Sequence, residues 1–499
     1  MVSTLRVILW DEEIGRLAWD GRRKLSYFMY NPEWTKKGLN ISPLVAPIDS
    51  VRRLAPVWGE DAKIYQKLPA FLADSLPDAW GNQLFDFWRR QNHLSPAEVT
   101  PLDKLSFIGK RGMGALEFQP AYSHERKAEA LDMKSLADLA ERIYSERENA
   151  HILPEESITL QSLLTVGTSA GGRQPKALIA ISRENGDIRS GQIAGLKDYD
   201  YYLLKFGDSK YSIAELEMTY YELAVNAGIR MMPSALYAVE GNNHFITKRF
   251  DRDGEQKRYT QTLAAVSPEA ESYEQLIEVC RKLRLPEADC QEVFRRMVFN
   301  ILANNTDDHN KNFSFVMGRD GAWRLSPAYD MTYIIDPGGF LPNENHCLYI
   351  RTKFRGITYD DVIQFAHDNG IRRPDAMIHD VANSLKQFRS VALKHGVKDE
   401  WIGRVETTLV GHLRAWGLAE PAKEGRFVDA QGRCVERVRV EQTYKGNYHL
   451  LADVDGQERK FVIGKNREEF ALIEKAGVSN LTAEQLLAMA AKYLSSAVI

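Results

Sequence analysis

Cysteine is scarce in this sequence. Only Cys280, Cys290, Cys347 and Cys434 occur in 499 residues, and no two share C-x-x-C spacing. That argues against a disulfide scaffold and a cysteine-rich zinc site. An excess of charge is also missing. Lys plus Arg number 65 against 68 Asp plus Glu, a formal charge of −3. No global basic field therefore points to nucleic acid, although a local patch stays open. No apolar run reaches the roughly 18 residues of a membrane helix. The start, Met-Val-Ser-Thr-Leu-Arg-Val-Ile-Leu-Trp, lacks a basic stretch, a long apolar core and a small-residue cleavage site, so no signal peptide is expected. These absences lead to the expectation of a cytoplasmic protein with no membrane partner. What remains is an ordinary globular balance, 44% hydrophobic and 27% charged. The length suits roughly two to four domains.

The stretch richest in chemistry is Asn304-Asn305-Thr306-Asp307-Asp308-His309-Asn310-Lys311-Asn312-Phe313. Val293, Phe294, Met297, Val298, Ile301 and Leu302 lie ahead of it on one helical stripe, and an apolar run through Met317 follows. A polar loop between a buried helix and a buried strand can hold side chains rigidly. Four residues separate Asp307 from Asn312. Phosphoryl-transfer kinases use this spacing, with the Asp taking the substrate hydroxyl proton and the Asn holding a metal ion. A turn at Gly318-Arg319-Asp320-Gly321 predicts a hairpin returning through Trp323-Arg324-Leu325. Asp330 should then lie near Asn312, as a further carboxylate for Mg²⁺. The Asp-Asn pair alone is a weak signal, because both residues are common in turns. Helix, hairpin and returning Asp together carry the reading.

The rest of the chain supplies the other parts of such a site. Residues 4–30 alternate as a small antiparallel sheet with a turn at Asp20-Gly21. Leu-Pro-Asp-Ala-Trp-Gly, residues 76–81, leads into an amphipathic helix through Leu84, Phe85 and Trp88. Arg111-Gly112-Met113-Gly114 enters a strand with no helix N-terminus behind it, so it is read as structural rather than phosphate-binding. Residues 121–160 predict a surface helix, with Leu136, Leu139, Ile143 and Tyr144 at helical spacing, and a connection. Thr165 to Lys176 is a long loop of small residues, whose backbone N–H groups could approach phosphate oxygens. It lacks the Walker order, which argues against a P-loop NTPase. Lys205 ends an apolar strand downstream, where kinases place a phosphate-contacting Lys. On the following helix, Ile213 to Ala227, either Glu215 or Glu217 could pair with Lys205. The strand through Lys248-Arg249-Phe250 is a candidate hinge offering backbone to adenine, and equally an ordinary strand. Helices are expected over 272–302 with a break at Pro286, and again from 359 to 416. Residues 425–465 alternate as strands, and Thr482 with Gln485 makes a capping-box pattern.

Asn-Thr-Asp-Asp-His-Asn-Lys-Asn-Phe-Ser-Phe followed by Leu-Ser-Pro-Ala-Tyr-Asp resembles the HipA-type serine/threonine kinases, the toxins of bacterial HipA/HipB-like type II toxin–antitoxin pairs. The resemblance covers roughly residues 1–418. It implies an α+β, two-lobed protein-kinase-like (PI3/4-kinase-like) fold with an N-terminal β-rich subdomain at 1–125, a kinase N-lobe at 126–265 and a helical C-lobe at 266–420. A small C-terminal α+β appendage at 421–499 lies outside it. The first subdomain would pack on the kinase without being catalytic. The resemblance implies ATP and Mg²⁺, with Asp307 catalytic and Asn312 and Asp330 on the metal. ATP contacts would come from Ala170, Gly171, Gly172, Arg173, Gln174, Lys176, Lys205, Lys248, Arg249, Phe250, His309, Lys311, Asn312, Tyr329 and Asp330. It favours Glu217 as the Lys205 partner and puts an autophosphorylated serine at Ser169. The implied partners are a HipB-type antitoxin (a helix-turn-helix DNA-binding protein), operator DNA through it, and a protein with a Ser or Thr acceptor. An aminoacyl-tRNA synthetase is the family's best-known kind of target. Two other classes stay open: a corepressor subunit acting through the antitoxin, and a small-molecule or lipid kinase. Asp308 departs from the family's usual residue and could alter metal binding.

Overall fold

The computed structural model describes residues 2–49, 63–122, 130–146, 156–167, 174–192, 196–208, 210–335, 343–419, 427–428, 433–442, 447–465, 467–477 and 481–496. These fall into two compact units, one holding residues 1–335 and 343–412, the other chiefly 413–499.

The alternation at the start makes antiparallel strands Thr4–Leu9, Glu12–Asp20 and Leu25–Tyr30, with Leu5, Val7, Leu17 and Phe28 fully buried. A fourth strand, Leu116–Gln119, pairs on the free side of the first. The helix Ala79–Gln91 begins at Asp78, whose carboxylate accepts the Gly81 N–H at 2.6 Å, and it buries Trp80, Leu84, Phe85 and Trp88. This capping explains the sharp start of the helix after Leu76-Pro77.

A five-stranded antiparallel sheet follows, in the spatial order Ile188–Ser190, Lys176–Ser182, Tyr199–Lys205, Asn242–Lys248, Ser234–Val239. The helix Ile213–Asn226 packs on it. The helix Met133–Glu146 is not the surface element that its charge suggests. Leu136, Leu139 and Ile143 are buried, and they share one core with Leu163 and Leu164 of a further helix, Ser157–Val166, and with Trp80, Ala177 and Ile179.

The helical part contains Tyr273–Lys282, Glu287–Leu302, Tyr359–Asp368, Pro374–Leu385 and Phe388–His395. Pro286 stands just ahead of the second of these, as its missing N–H allows. The predicted hairpin is present, Ser314–Met317 with Trp323–Leu325, in register Phe315 to Leu325. A third strand, Tyr259–Thr262, joins its other edge. The second unit is a four-stranded antiparallel sheet with two helices and a core of its own around Leu450, Ala452, Val454, Ile473 and Met489. Its last helix carries the expected reciprocal bonds between Thr482 and Gln485, at 2.9 and 3.1 Å.

Candidate active site

A cavity of about 340 Å³ opens between the five-stranded sheet and the catalytic stretch. Its lining includes Leu203, Lys205, Glu217, Lys248, Arg249, Phe250, His309, Lys311, Asn312, Tyr329 and Asp330. Residues from positions 205 to 330 thus converge on one space, as a small-molecule site requires.

On one side of that space is an ion cluster. The Lys205 ammonium donates to Glu217 Oε1 and to Asp330 Oδ1. Glu215, the competitor on the same helix, instead accepts from Asn243 Nδ2 at 2.8 Å. Burial would lower Lys205, but Asp330 and Glu217 hold it above the ordinary lysine value. One ammonium does not compensate two buried carboxylates equally. Burial works to raise Asp330, yet Lys205 and Lys176 keep it below the usual carboxylate range. Burial wins at Glu217, which is raised. Asp330 also has a left-handed backbone at φ 53°, a conformation that Asp tolerates better than most residues.

The catalytic stretch leaves the helix Glu287–Leu302 and makes a single 3₁₀ turn at Asn310–Asn312. His309 caps it, its Nδ1 accepting the Lys311 N–H at 3.2 Å, while its Nε2 lies 3.7 Å from Asp307 Oδ1. Asn312 Nδ2 donates to the Asp307 carbonyl at 2.6 Å, which orients the amide and leaves Oδ1 as an acceptor. The Asp307 side chain is 54% exposed. Asp308 points the other way. It is fully buried and meets Tyr273 Oη at 2.7 Å, the Cys347 N–H at 2.7 Å and His346 Nδ1 at 3.0 Å. The expected effect of this extra carboxylate on the metal has no geometric support, because its oxygens are occupied. Tyr329 donates to the Lys311 carbonyl at 2.8 Å and stacks on Phe250, ring centres 5.6 Å apart.

Several expected contacts are placed otherwise. The Arg249 side chain is completely buried in a two-bond pair with Asp251, both bonds 2.8 Å, so only its backbone is available to the cavity. The N–H groups of Lys248 and Arg249 donate to Pro233 and Tyr201 carbonyls at 2.9 Å and are not available to adenine. The Lys248 ammonium pairs with Asp200 at 3.0 Å. Gln174 Nε2 donates to the Phe206 carbonyl at 2.8 Å. Lys176 is 2% exposed and lies 3.5 Å from Asp78 rather than in the cavity lining. Ser169, Ala170, Gly171, Gly172 and Arg173 lie outside the described residues.

The sequence reading missed the N-terminal wall. Asp74, Leu76, Asp78, Met113 and Leu116 all line the same cavity. The Gly114 N–H donates to Asp251 at 2.7 Å, and a Cβ at Gly114 would stand 2.5 Å from Thr260 Oγ1. That contact, with φ +74°, requires glycine and brings Met113 to the cavity. The Gly-Met-Gly stretch did signal a close backbone approach, but not its destination.

Among the described residues no three His, Cys, Asp or Glu side chains converge for a metal. Asn312 Oδ1 and the charged Asp330 carboxylate are hard oxygen donors of the type that Mg²⁺ accepts when substrate phosphates complete its shell. Also among the described residues, no helix is long and apolar enough to cross a membrane.

Two protein-family models match the chain: HipA N-terminal domain over residues 5–119 and HipA-like C-terminal domain over residues 168–388. The chain belongs to the HipA family. A putative kinase of Haemophilus influenzae is 28% identical to this HipA-family chain over 236 residues, 42% of this chain and 66% of that protein. A serine/threonine-protein kinase toxin HipA of Shewanella oneidensis is 23% identical over 368 residues, 66% of this chain and 75% of that protein. A chain in the solved Shewanella oneidensis complex of HipA, HipB and operator DNA matches with a TM-score of 0.59 at 18% identity, covering 83% of this chain and 97% of that one. This likeness shows the HipA fold, protein-kinase-like and α+β. The helix Ser157–Val166 and residues 413–499 lie outside both family matches.

Proposed function

We propose that this HipA-family chain is an ATP- and Mg²⁺-dependent serine/threonine protein kinase, the toxin of a type II pair. The observation that carries the reading is the Lys205 ammonium held between Glu217 and Asp330 beside a cavity of nucleotide size. Kinases require such a Lys–Glu pair and such a carboxylate to be in place.

Asp307, exposed and facing incoming solvent, accepts the proton of a Ser or Thr hydroxyl. The hydroxyl oxygen forms the new bond to the γ-phosphorus of ATP, the bond from that phosphorus to the bridging oxygen breaks, and ADP leaves with the electron pair. Lys205 neutralises phosphate charge, and His309 and Lys311 add donors on the opposite side. Asn312 and Asp330 would hold Mg²⁺, which when bound would supply Lewis-acid neutralisation of the phosphates. Positioning and charge neutralisation supply most of the rate in this chemistry.

Asp307→Gln and Asp330→Gln, assayed for phosphate transfer from ATP to protein, test the assignment. Activity near wild type in either overturns it. Label appearing in metabolites rather than protein would turn the reading to a small-molecule or lipid kinase.

By the same reading, Ser169 is phosphorylated by the chain itself. A dianion of about −1.5 to −2 there would repel ATP phosphates and lower activity. Intact mass with and without ATP reads this directly. A HipB-type antitoxin, and operator DNA through it, are the proposed partners, supported by the complex in which the matching fold was solved. An aminoacyl-tRNA synthetase is the proposed class of target. Phosphoproteomics against the Asp307→Gln variant would identify it.

A further inference from the structure

The catalytic reading uses Lys205 but leaves a second buried lysine unexplained. Strands Lys176–Ser182 and Tyr199–Lys205 pair so that Lys176 and Lys205 stand directly opposite each other. Side chains at paired positions share one face of a sheet, so two ammonium groups extend side by side out of water. Like charges placed so are unfavourable unless each has a counter-ion. Lys205 has two, Glu217 and Asp330. Among the described residues the carboxylate in ion-pair reach of Lys176 is Asp78, 3.5 Å away and from the N-terminal domain, while Asp330 and Glu217 feel its charge from farther off. Both side chains are nearly dry, 2% and 10% exposed.

The two Asp78 oxygens are used differently. Oδ1 caps the helix Ala79–Gln91 through the Gly81 N–H. Oδ2 faces Lys176, is buried, and has no hydrogen-bond partner among the described residues. Asp78 itself lines the nucleotide cavity. At 3.5 Å the pair is an electrostatic contact rather than a short hydrogen bond, so Lys176 is compensated without being tightly bound. The Trp80 indole N–H, two residues along the same helix, donates to the Lys176 carbonyl at 3.0 Å and fixes the two elements together.

We propose that Asp78 is a positioning residue of the nucleotide site, an N-terminal-domain counter-ion that offsets the charge of Lys176 beside Lys205 and so sets how strongly the site attracts a polyphosphate. The inference rests on the kinase reading above and extends the site into a domain expected to be non-catalytic. The stem of Lys176 is packed within its strand, so removing the Asp78 charge leaves the ammonium in place with only the more distant Asp330 and Glu217 carboxylates, which Lys205 already engages. A nucleoside triphosphate then supplies the missing negative charge and binds more tightly.

Asp78→Asn is the informative variant, because Asn retains the helix cap while losing the charge. Binding of MgATP to the full chain is measured by calorimetry, and melting temperature is measured without nucleotide. The expected result is a dissociation constant lower by roughly fivefold or more, the size of one partly screened charge next to a polyanion, together with a lower melting temperature of the nucleotide-free chain. Lys176→Met lowers the melting temperature too, and the double variant recovers most of the loss because no buried charge is left unpaired. A dissociation constant that is unchanged or raised in Asp78→Asn overturns the inference, as does a double variant no more stable than the single ones. If wild type fails to bind MgATP at all, the kinase reading falls with it. If wild type binds and transfers phosphate while Asp78→Asn behaves like it, only the inference falls.

Discussion

Two carboxylates flank the catalytic stretch, one fully buried and one partly exposed, and their surroundings differ in kind. Behind the loop, Asp308 has its oxygens taken by three groups from two other places in the chain, Tyr273 and the neighbours His346 and Cys347, and it does not line the cavity. At the cavity, Asp330 shares a single ammonium with Glu217 and keeps one face toward open space. A carboxylate surrounded by fixed donors holds a shape. A carboxylate that divides one cation with a neighbour can exchange part of that interaction for a ligand. Adjacency in sequence says nothing about which is which, since Asp307 and Asp308 are 54% and 0% exposed.

The sharpest way to break this contrast is to neutralise both. Asp330→Asn should lower phosphate transfer by roughly 100- to 1000-fold, the usual loss when a charge-stabilising group is removed. Asp308→Asn should stay within a few-fold of wild type per folded molecule. A larger loss for Asp308→Asn in a radiolabelled transfer assay would invert the assignment.

Glu217→Gln and Glu215→Gln come next. The first removes a charge from the Lys205 cluster and should cost roughly tenfold or more in kcat/KM. The second removes a charge away from Lys205, leaves an oxygen that can still accept from Asn243, and should change kcat/KM by less than about twofold. Equal effects would mean that the Lys205–Glu217 pair has no bearing on turnover.

For Asp308→Asn the effect belongs in stability instead. Leaving donors without their carboxylate should cost about 1–3 kcal/mol in urea unfolding. No loss would remove the structural role given to that residue.

The smallest effect expected at neutral pH is acidic. Burial works to raise Asp251, but Arg249 and Arg252 hold it well below the ordinary carboxylate range. A carboxyl depressed in the folded state adds stability above its unfolded value, about 3.9, and loses it as pH falls toward the folded one. Asp251 therefore leaves the melting temperature flat between about pH 7 and 5 and contributes to its fall below about 4. Asp251→Asn should flatten that acid limb while lowering the plateau. An unchanged acid limb would rule out the ion pair as its source.

Much of this was legible in residue patterns. The hairpin turn at Gly318–Gly321 predicts the return of Asp330, and strand alternation predicts the first sheet. Glu215 and Glu217 could not be separated by spacing, because two positions on a helix differ by rotation and only packing fixes that angle. Asp308 was read as a metal-side group because its buried partners lie almost 40 residues away in either direction. The charged composition of 133–146 hid a buried face, since Leu136, Leu139 and Ile143 are few but regularly spaced. Lys176 fits a phosphate contact by position, and the Asp78 beside it comes from another domain, which no local pattern encodes.

The aromatic face of the helix Ala79–Gln91 meets Phe107 and Tyr122 early in the chain, but the rest of its core comes from residues made much later, Ala177 and Ile179 on one strand and Leu204 and Phe206 around the next. During translation that core waits, incomplete, for the second sheet to emerge. A chain cut between residues 122 and 130 would yield two pieces, each exposing half of one oily seam. Produced separately they should aggregate; produced together in one cell they should find each other and restore a working whole.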